Sequence, residues 1–480
     1  MTPFLEPGFR AEFDHDESPR ESCGVIGAFL PGTNVAQIAF YGLFALQHRG
    51  QESAGVATAT GKKIHNYTGM GLVSQAFRES DLQRLEGHIA IGHTRYSTTG
   101  SNRPENAQPI IAKNGGLEIA LAHNGNVINA RELRADLLEK GVAFSTSTDS
   151  EIIAQMFVNS AGETIEERIA NSMRRLQGAY SLTVLTDDTL IGIRDPRGVR
   201  PLCIGTLNDG WIIASESCAL DHLGATFLRE IDPGETVIIN DQGLRSVKYP
   251  WKLPAPAPCV FEYIYFSRPD SLLGGRSNYL SRVEMGKRLA KEHPVDADIV
   301  IGVPDSATAA AVGYSQESGI PYSDGLIKNR YIGRTFIEPE QRIRELGVQM
   351  KFNAIPEVIR GNRVVIVDDS IVRGTTTPQV VNMVREAGAK EVHMRVCAPP
   401  IRFPCHFGVD MATRDELLAS KLPIAGIKTF INADSLGYLS VEELLASVDG
   451  NKKSYCAACF TGEYPMPVQL EMDKLALERS

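Results

Sequence analysis

The sequence predicts two domains of different class, an α+β domain of stacked antiparallel sheets followed by an α/β domain with a mostly parallel sheet. The chain has 480 residues, too many for one ordinary hydrophobic core. In the first half, short strand patterns such as HIAIGHTRYSTTG and SLTVLTDDTLIGI are separated by turn signals. In the second half, strands such as IVIGV alternate with helical patterns, which is typical of a parallel sheet. The proline-rich stretch PWKLPAPAP, residues 250–258, predicts the boundary.

Composition excludes several classes of function. The net charge of −9 disfavours a nucleic-acid partner, because phosphate backbones attract basic surfaces. No apolar run approaches the length needed to cross a membrane, and the N-terminus lacks the features of a signal peptide. We therefore expect a cytoplasmic protein without membrane or nucleic-acid partners. Eight cysteines are few for this length, which favours metal binding or catalysis over disulfides.

The chain begins with an acidic segment, residues 1–22, which has six carboxylates, two arginines and no hydrophobic periodicity. Such a segment is typical of a disordered or removable leader. The strand pattern CGVIGAF follows it. The next stretch, VAQIAFYGLFALQHRGQESAG, predicts a helix that ends at Gly50.

Cys23 opens that first strand pattern, where a buried small hydrophobic role is the default for a lone cysteine. Three later segments favour catalysis: HTRY contributes Arg95, HNGN contributes Asn124 beside Gly125, and TDS contributes Asp149. An amino-acid substrate needs a cation for its carboxylate, an anion for its ammonium group and donors for the oxyanion formed under attack. These residue types meet all three needs, so we predict a thiol nucleophile.

The base that activates Cys23 is not obvious, since no histidine is clearly placed for that role. Removal of the leader would leave Cys23 with a free α-amine whose pKa is about 7.7 to 8. An N-terminal amine can activate the side chain of its own residue. This chemistry explains why an acidic leader precedes a catalytic cysteine.

The stretch RVVIVDDSIVRGTTT, residues 363–377, combines a buried strand pattern with a turn and a helix N-terminus. Asp368 and Asp369 follow at the carboxyl end of the strand, where open α/β sheets bind ligands. Backbone N–H groups and hydroxyls of the turn, Arg373 to Thr377, can hold a phosphate. The alternative is an ordinary turn with capping aspartates, but two carboxylates against an apolar strand repel each other unless a ligand or cation binds. We therefore predict a phosphorylated sugar as the ligand.

A second loop of this kind, Pro304 to Thr308, follows the strand IVIGV and precedes an alanine-rich helix. Two such loops can hold two phosphate groups. Mg²⁺ is expected where phosphates meet Asp368, Asp369 and Ser306, because it takes oxygen ligands alongside substrate phosphates.

Residues 328–353, between the two loops, are basic and irregular. A solvated surface loop and a mobile lid fit this composition equally well. The position favours a lid over a polyphosphate, with Arg330, Arg334 and Lys351 as candidate contacts.

Four cysteines form the last candidate site: Cys259, Cys405, Cys456 and Cys459. A C-x-x-C pair alone indicates a redox pair or half a zinc site, but two further cysteines beside prolines allow a four-cysteine metal site. Zinc and an iron–sulfur cluster both fit that ligand set, and spacing does not separate them. The strand-like surroundings of Cys203, Cys218 and Cys397 predict core positions.

From Cys23 onward the chain resembles the glutamine phosphoribosylpyrophosphate amidotransferase family. CGVIG, LQHRGQESAG, GHTRYSTTG, HNGN and TSTDSE resemble its N-terminal-nucleophile (Ntn) glutaminase domain. VIVDDSIVRGTTT resembles its phosphoribosyltransferase signature, and PDSAT its pyrophosphate loop. The resemblance implies domains at 23–255 and 256–480, after a propeptide at 1–22. It also implies that ammonia from glutamine attacks C1 of 5-phosphoribosyl 1-pyrophosphate (PRPP), the first step of purine synthesis.

The resemblance assigns roles residue by residue. Cys23 would be the nucleophile, with Asn124 and Gly125 forming the oxyanion hole. Glutamine would be held by Arg49, Arg95 and Asp149. PRPP would be bound by Asp305, Ser306, Lys351, Asp368, Asp369, Arg373, Gly374, Thr375, Thr376 and Thr377, with Mg²⁺ at Ser306, Asp368 and Asp369.

The leader and the four cysteines resemble the Bacillus-type branch of this family, made as precursors with a 4Fe–4S cluster. Cys259, Cys405, Cys456 and Cys459 match that branch's ligand positions. The resemblance further implies inhibition by purine nucleotides and a homotetramer. Two rival functions remain open: a glutamine amidotransferase with another acceptor, such as a sugar phosphate, and a non-catalytic regulator that binds phosphoribosyl compounds.

Overall fold

The structure is a computed structural model of the whole chain. It describes residues 23–96, 101–249, 251–329, 351–409, 411, 413–450, 454–468 and 477. The predicted leader and most of the predicted lid, including Arg330 and Arg334, therefore lie outside the described residues.

Two antiparallel sheets form the N-terminal half, as the short strand patterns predict. The first sheet has the order β11-β9-β10-β1-β4-β2-β3, and the second has the order β13-β12-β8-β7-β6-β5. The strands are β1 (Gly24–Phe29), β2 (Ser53–Ala59), β3 (Ile64–Met70), β4 (Ile89–Arg95), β5 (Ile110–Asn114), β6 (Leu117–Val127), β7 (Gly178–Leu185), β8 (Leu190–Arg194), β9 (Cys203–Leu207), β10 (Gly210–Ala214), β11 (Thr226–Glu230), β12 (Glu235–Asn240) and β13 (Gly243–Lys248).

Apolar side chains between the two sheets make a shared core, exemplified by Ile91 of the first sheet and Leu190 of the second. Helices cover the outer face of each sheet, so that the N-terminal half has four layers. The helices are α1 (Ala36–Ala45), α2 (Val73–Ala76), α3 (Glu79–Gln83), α4 (Ala130–Glu139), α5 (Asp149–Asn159), α6 (Ile165–Met173) and α7 (Ser217–His222), with 3₁₀ turns at Gln47–Arg49 and Pro104–Asn106.

The prediction that the first helix ends at Gly50 is wrong. The α-helix ends at Ala45, a 3₁₀ turn follows, and Gly50 is extended, with φ −158°. Gly50 is needed for another reason: a Cβ there would lie 2.6 Å from the carbonyl carbon of Thr94. The glycine permits a close approach between this turn and β4.

A four-stranded parallel sheet, in the order β16-β19-β20-β21, forms the centre of the C-terminal half. Its strands are β16 (Ile299–Gly302), β19 (Arg363–Asp368), β20 (Glu391–Val396) and β21 (Ser435–Tyr438). Two separate antiparallel pairs join β14 (Leu272–Leu273) with β15 (Arg276–Ser277) and β17 (Leu326–Lys328) with β18 (Phe352–Ala354). This confirms the prediction of an α+β domain followed by an α/β domain.

Helices cover both faces of that parallel sheet. They are α8 (Asn278–Glu292), α9 (Thr308–Ser318), α10 (Pro356–Ile359), α11 (Thr376–Glu386), α12 (Leu418–Lys421), α13 (Ile424–Phe430), α14 (Val441–Ser447) and α15 (Ala458–Thr461), with a π-helical turn at Glu262–Phe266 and a 3₁₀ turn at Arg414–Glu416. None of the helices in the described ranges is both long and apolar enough to span a membrane.

The two halves share a buried ion-pair network. Glu262, from the π-helical turn, pairs with Arg49 and Arg200 of the N-terminal half, and Arg49 also pairs with Glu216. The side chains of both arginines are fully buried. An apolar cluster that includes Val199 crosses the same interface. The halves are therefore joined by packing and by charge.

Candidate functional site

A cavity beside Cys23 brings together several residues that the sequence predicts to act together. Cys23, Arg95, Gly125 and Asp149 all line it. Cys23 directly precedes β1, and the other three come from β4, β6 and α5, elements that contact one another in the fold. The remaining lining residues are Tyr96, Gln108, His123, Thr148 and Ser150.

The thiol of Cys23 lies directly before β1 and is buried. Its sulfur accepts a hydrogen bond from the Tyr96 N–H at 3.4 Å and lies 3.3 Å from the Tyr96 carbonyl oxygen, to which it donates. Burial raises the pKa of Cys23 to about 11, although the Tyr96 backbone and Arg95 oppose that rise. The thiol is therefore a weak nucleophile until a base removes its proton.

The predicted oxyanion residues lie at the end of β6. Gly125 has φ +149°, and a Cβ there would lie 2.0 Å from the carbonyl oxygen of Ala179, so the position requires glycine. The Asn124 side chain is buried, and within the described residues neither atom of its amide has a hydrogen-bond partner. An unsatisfied buried amide is costly, which is consistent with a group that awaits a ligand.

Opposite charges line the cavity, as an amino acid requires. Arg95 lies 3.6 Å from Glu52 and 3.3 Å from the Ser101 carbonyl oxygen. Asp149 begins α5 and accepts the Val127 N–H at 2.9 Å. Its carboxylate is therefore held beside the oxyanion strand.

Five cavity residues were given no role by sequence reasoning, and three of these, Gln108, His123 and Ser150, bond to one another. The Gln108 amide donates to Ser150 at 2.9 Å and accepts the His123 N–H at 2.8 Å. The His123 ring lies 3.2 Å from the Ser150 hydroxyl, and burial lowers its pKa. His123 and Ser150 adjoin predicted residues along the chain, whereas Gln108 carries no comparable signal.

Arg49, which the family resemblance assigns to glutamine binding, does not line this cavity. It lies in the ion-pair network between the halves, where it pairs with Glu216 and Glu262 and donates to Ser267 at 3.1 Å. In this structure its charge is therefore paired at the interface between the halves.

Two predicted phosphate loops meet at the carboxyl ends of adjacent parallel strands. Gly302 of β16 lies opposite Val367 of β19, and the loops that begin at Pro304 and Asp368 follow directly. The hydroxyl of Ser306 donates to Asp369. The two loops therefore form one site, at the edge where open α/β sheets bind ligands.

Asp369 is the buried carboxylate of this second site. Burial raises its pKa, while hydrogen bonds from Ser306 and Ser370 and the charges of Arg282 and Lys351 partly oppose the rise. Its N–H donates to Asp368 at 2.9 Å. A cation bound here would favour the charged form of Asp369.

The other predicted phosphate residues surround the same edge. Asp305 forms an ion pair with Lys328 at 2.9 Å, and Arg373 pairs with Glu416 at 2.7 Å. Gly374 has φ +80°, and a Cβ there would lie 2.6 Å from the Leu418 side chain. Thr375, Thr376 and Thr377 lie at the start of α11, where backbone N–H groups are available to an anion.

The four cysteines come from three segments of the chain that the fold brings together. Cys259 and Cys456 lie side by side, since the Val260 N–H donates to the Cys456 carbonyl oxygen at 3.2 Å. Burial and the neighbouring thiols of Cys259, Cys405 and Cys456 raise the pKa of Cys459. Among the described residues, no group of three or more metal-ligating side chains is arranged to hold a metal ion. The structure therefore shows proximity of the thiols without a coordination geometry.

The remaining three cysteines are free and buried, as predicted for core positions. Cys203 lies in β9 and Cys397 follows β20. Cys218 is on the helix α7, so its predicted strand-like context is wrong.

The fold and the two sites define a glutamine amidotransferase with an attached phosphoribosyltransferase domain. The family description "Glutamine amidotransferase domain" matches residues 93–222, and "Phosphoribosyl transferase domain" matches residues 282–400.

Curated relatives match over nearly the full chain. A protein named amidophosphoribosyltransferase from Archaeoglobus fulgidus is 51% identical, over 93% of this chain and 98% of its own. Relatives of the same name from Synechococcus elongatus and Mycobacterium bovis are 48% and 47% identical, over 97% and 95% of this chain and 96% and 88% of their own. The chain belongs to the amidophosphoribosyltransferase family, enzymes of purine biosynthesis that use glutamine to aminate PRPP.

A solved structure agrees. Glutamine PRPP amidotransferase from B. subtilis, complexed with ADP and GMP, superposes with a TM-score of 0.88 at 46% identity, covering 94% of this chain and 99% of its own.

The burial of Cys23 predicts an unusual pH dependence of its alkylation. In the chain that retains residues 1–22, a pKa of about 11 means that the thiolate fraction, and so the rate with iodoacetamide, rises about 100-fold from pH 8 to pH 10. An ordinary thiol, with a pKa near 8.5 to 9, gives about a 4- to 10-fold rise. Mass spectrometry of the labelled peptide, with Cys23→Ala as the blank, checks this. A rise of about 10-fold or less at Cys23 would contradict it.

Proposed function

We propose that this chain hydrolyses glutamine at Cys23, after removal of residues 1–22, and delivers the ammonia to C1 of PRPP. The products are 5-phosphoribosylamine, glutamate and pyrophosphate. The observation that carries the proposal is one chain with two sites. One is a thiol cavity lined by opposite charges, and the other is a pair of phosphate loops joined by the hydrogen bond from Ser306 to Asp369. The domains run from 23 to 255 and from 256 to 480.

In the first half-reaction the Cys23 sulfur attacks the side-chain amide carbon of glutamine. The free α-amine of Cys23 accepts the thiol proton, which overcomes the raised pKa of the buried thiol. Asn124 and the Gly125 N–H donate to the oxyanion. Ammonia leaves with a returned proton, and water then hydrolyses the thioester to glutamate.

Binding of glutamine is assigned to the two cavity charges. Arg95 would pair with the substrate carboxylate and Asp149 with its ammonium group, because both line the cavity on which Cys23 opens. The Val127 N–H already orients Asp149. Arg49 would support this site through the interface rather than by contact.

In the second half-reaction ammonia attacks C1 of PRPP and pyrophosphate leaves. Asp305 and Ser306 would bind the pyrophosphate, and Arg373 to Thr377 the 5′-phosphate. Asp368 and Asp369 would bind the ribose hydroxyls, and Lys351, which directly precedes β18, would approach the same site. Ser306, Asp368 and Asp369 would also hold Mg²⁺, which neutralises charge on the departing pyrophosphate.

The four cysteines fit an iron–sulfur cluster in their donor chemistry. Cys259, Cys405, Cys456 and Cys459 supply four thiols within electrostatic range of one another, in a largely buried place. A 4Fe–4S cluster held there would link residue 259 to the C-terminal segments. Zinc is the alternative metal for the same donors.

The regulation and assembly of the enzyme complete the proposal. The B. subtilis structure is described as complexed with ADP and GMP, and we propose that purine nucleotides inhibit this chain too. A cytoplasmic homotetramer is proposed on family grounds.

Separate loss of the two half-reactions tests the function. Cys23→Ala should abolish glutamine-dependent synthesis. Ammonia-dependent synthesis at high pH should stay within about twofold of the wild-type rate, because Cys23 is not part of the phosphate site. Asp369→Asn should lower synthesis from both nitrogen sources by at least about 100-fold. Pyrophosphate release measured with each source checks both variants. Equal loss of both activities in Cys23→Ala would sink the two-site assignment.

Metal analysis tests the cysteine site. Anaerobically purified protein should contain about four iron atoms per chain and absorb visible light, and Cys459→Ser should lose both, because one of the four thiolate ligands is removed. Cys203→Ser is the matched control, since Cys203 is buried and lies in another sheet. Colourless wild-type protein that contains zinc would overturn the choice of iron.

A further inference from the structure

The segment Cys405–Gly408 packs against the end of β6 that carries the predicted oxyanion hole. A Cβ on Gly408 would lie 2.9 Å from the carbonyl carbon of Gly125 and 3.0 Å from both its Cα and its carbonyl oxygen. All three of these atoms are backbone, so no side-chain rotation could relieve the contact. Gly408 also has φ +98°, a conformation that favours glycine.

Two hydrogen bonds hold this segment in place. The buried Asn126 amide donates to the His406 carbonyl oxygen at 3.0 Å. The fully buried Arg200 guanidinium donates to the Phe407 carbonyl oxygen at 3.0 Å. Arg200 is itself fixed by its ion pair with Glu262 at 3.0 Å. Two buried donors of the N-terminal half therefore hold this segment of the C-terminal half beside the thiol cavity.

Gly125 is in close contact with two other backbone segments. A Cβ on Gly125 would lie 2.0 Å from the Ala179 carbonyl oxygen of β7, and a Cβ on Gly408 would lie within 3.0 Å of three backbone atoms of Gly125. Added bulk at either glycine must therefore displace backbone. Its N–H is one of the two donors proposed for the oxyanion, and a donor acts only when it is aimed at the developing charge.

We propose that Gly408 is a positioning residue for glutamine hydrolysis, which sets the Gly125 N–H by close backbone contact across the boundary between the halves. The inference rests on the proposed oxyanion role of Gly125. An added methyl group would push Gly125 by a few tenths of an ångström. Because the oxyanion exists only after attack, the effect falls on kcat rather than on KM for glutamine.

The test compares Gly408→Ala with Gly361→Ala. Gly361 also has a positive φ, +77°, but a Cβ there would meet nothing within 4 Å, so this control carries the backbone strain without the clash. In Gly408→Ala, kcat for glutamine hydrolysis should fall about 10- to 100-fold with KM changed less than about twofold. Ammonia-dependent synthesis should stay at the level of Gly361→Ala.

A second variant covers the case in which Gly408→Ala also loses ammonia-dependent synthesis. Asn126→Ala removes the anchor of His406 without adding bulk, and kcat for glutamine hydrolysis should fall about 3- to 10-fold with ammonia-dependent synthesis retained. If Gly408→Ala hydrolyses glutamine at the wild-type rate, the proposal is overturned. It is also overturned if Gly408→Ala loses both activities while Asn126→Ala hydrolyses glutamine at the wild-type rate. Wild-type protein that does not hydrolyse glutamine would instead refute the proposed function.

Discussion

The carboxylate of Glu262 is the interaction on which the arrangement of both halves depends. It lies between two buried guanidinium groups, Arg49 and Arg200, which belong to the N-terminal half. Burial alone would raise its pKa, but the two arginines together hold the pKa of Glu262 below its usual value. A buried cation without a partner is strongly destabilising, so each arginine constrains where the π-helical turn that carries Glu262 can lie.

Both sites adjoin this network. On one side Arg200 continues to the Phe407 carbonyl oxygen, and the neighbouring Gly408 backs onto Gly125 of the thiol cavity. On the other side Arg282 of α8 donates to the carbonyl oxygens of Tyr263 and Ser267, in and beside the π-helical turn, and its charge partly offsets the rise that burial causes in the pKa of Asp369. One short turn therefore lies between the groups proposed to generate ammonia and those proposed to bind its acceptor.

Sequence patterns predicted the features that are local in the chain. The strand that ends in Asp368 and Asp369 and the helix that begins among the threonines are each contiguous, so periodicity and turn residues reveal them. Asn124 and Gly125 likewise belong to one contiguous motif. The ion pairs of Arg49 could not be predicted, because Glu216 and Glu262 are 167 and 213 residues away and a lone arginine in a turn carries no sign of burial. The structural role of Gly50 could not be predicted either, since its close contact is with Thr94 of β4, which is distant in the sequence.

Unfolding of a Glu262→Ala variant tests the central claim that this carboxylate joins the halves. The two tryptophans, Trp211 and Trp251, precede the predicted boundary at residue 255, so fluorescence reports the N-terminal half while circular dichroism reports the whole chain. In urea the two wild-type transitions should coincide. Glu262→Ala should separate them and lower the fluorescence midpoint, consistent with a loss of about 3 to 5 kcal/mol. Asp232→Ala, which breaks an exposed pair with Lys248, should behave as wild type. Coincident transitions of Glu262→Ala at the wild-type midpoint would contradict the account.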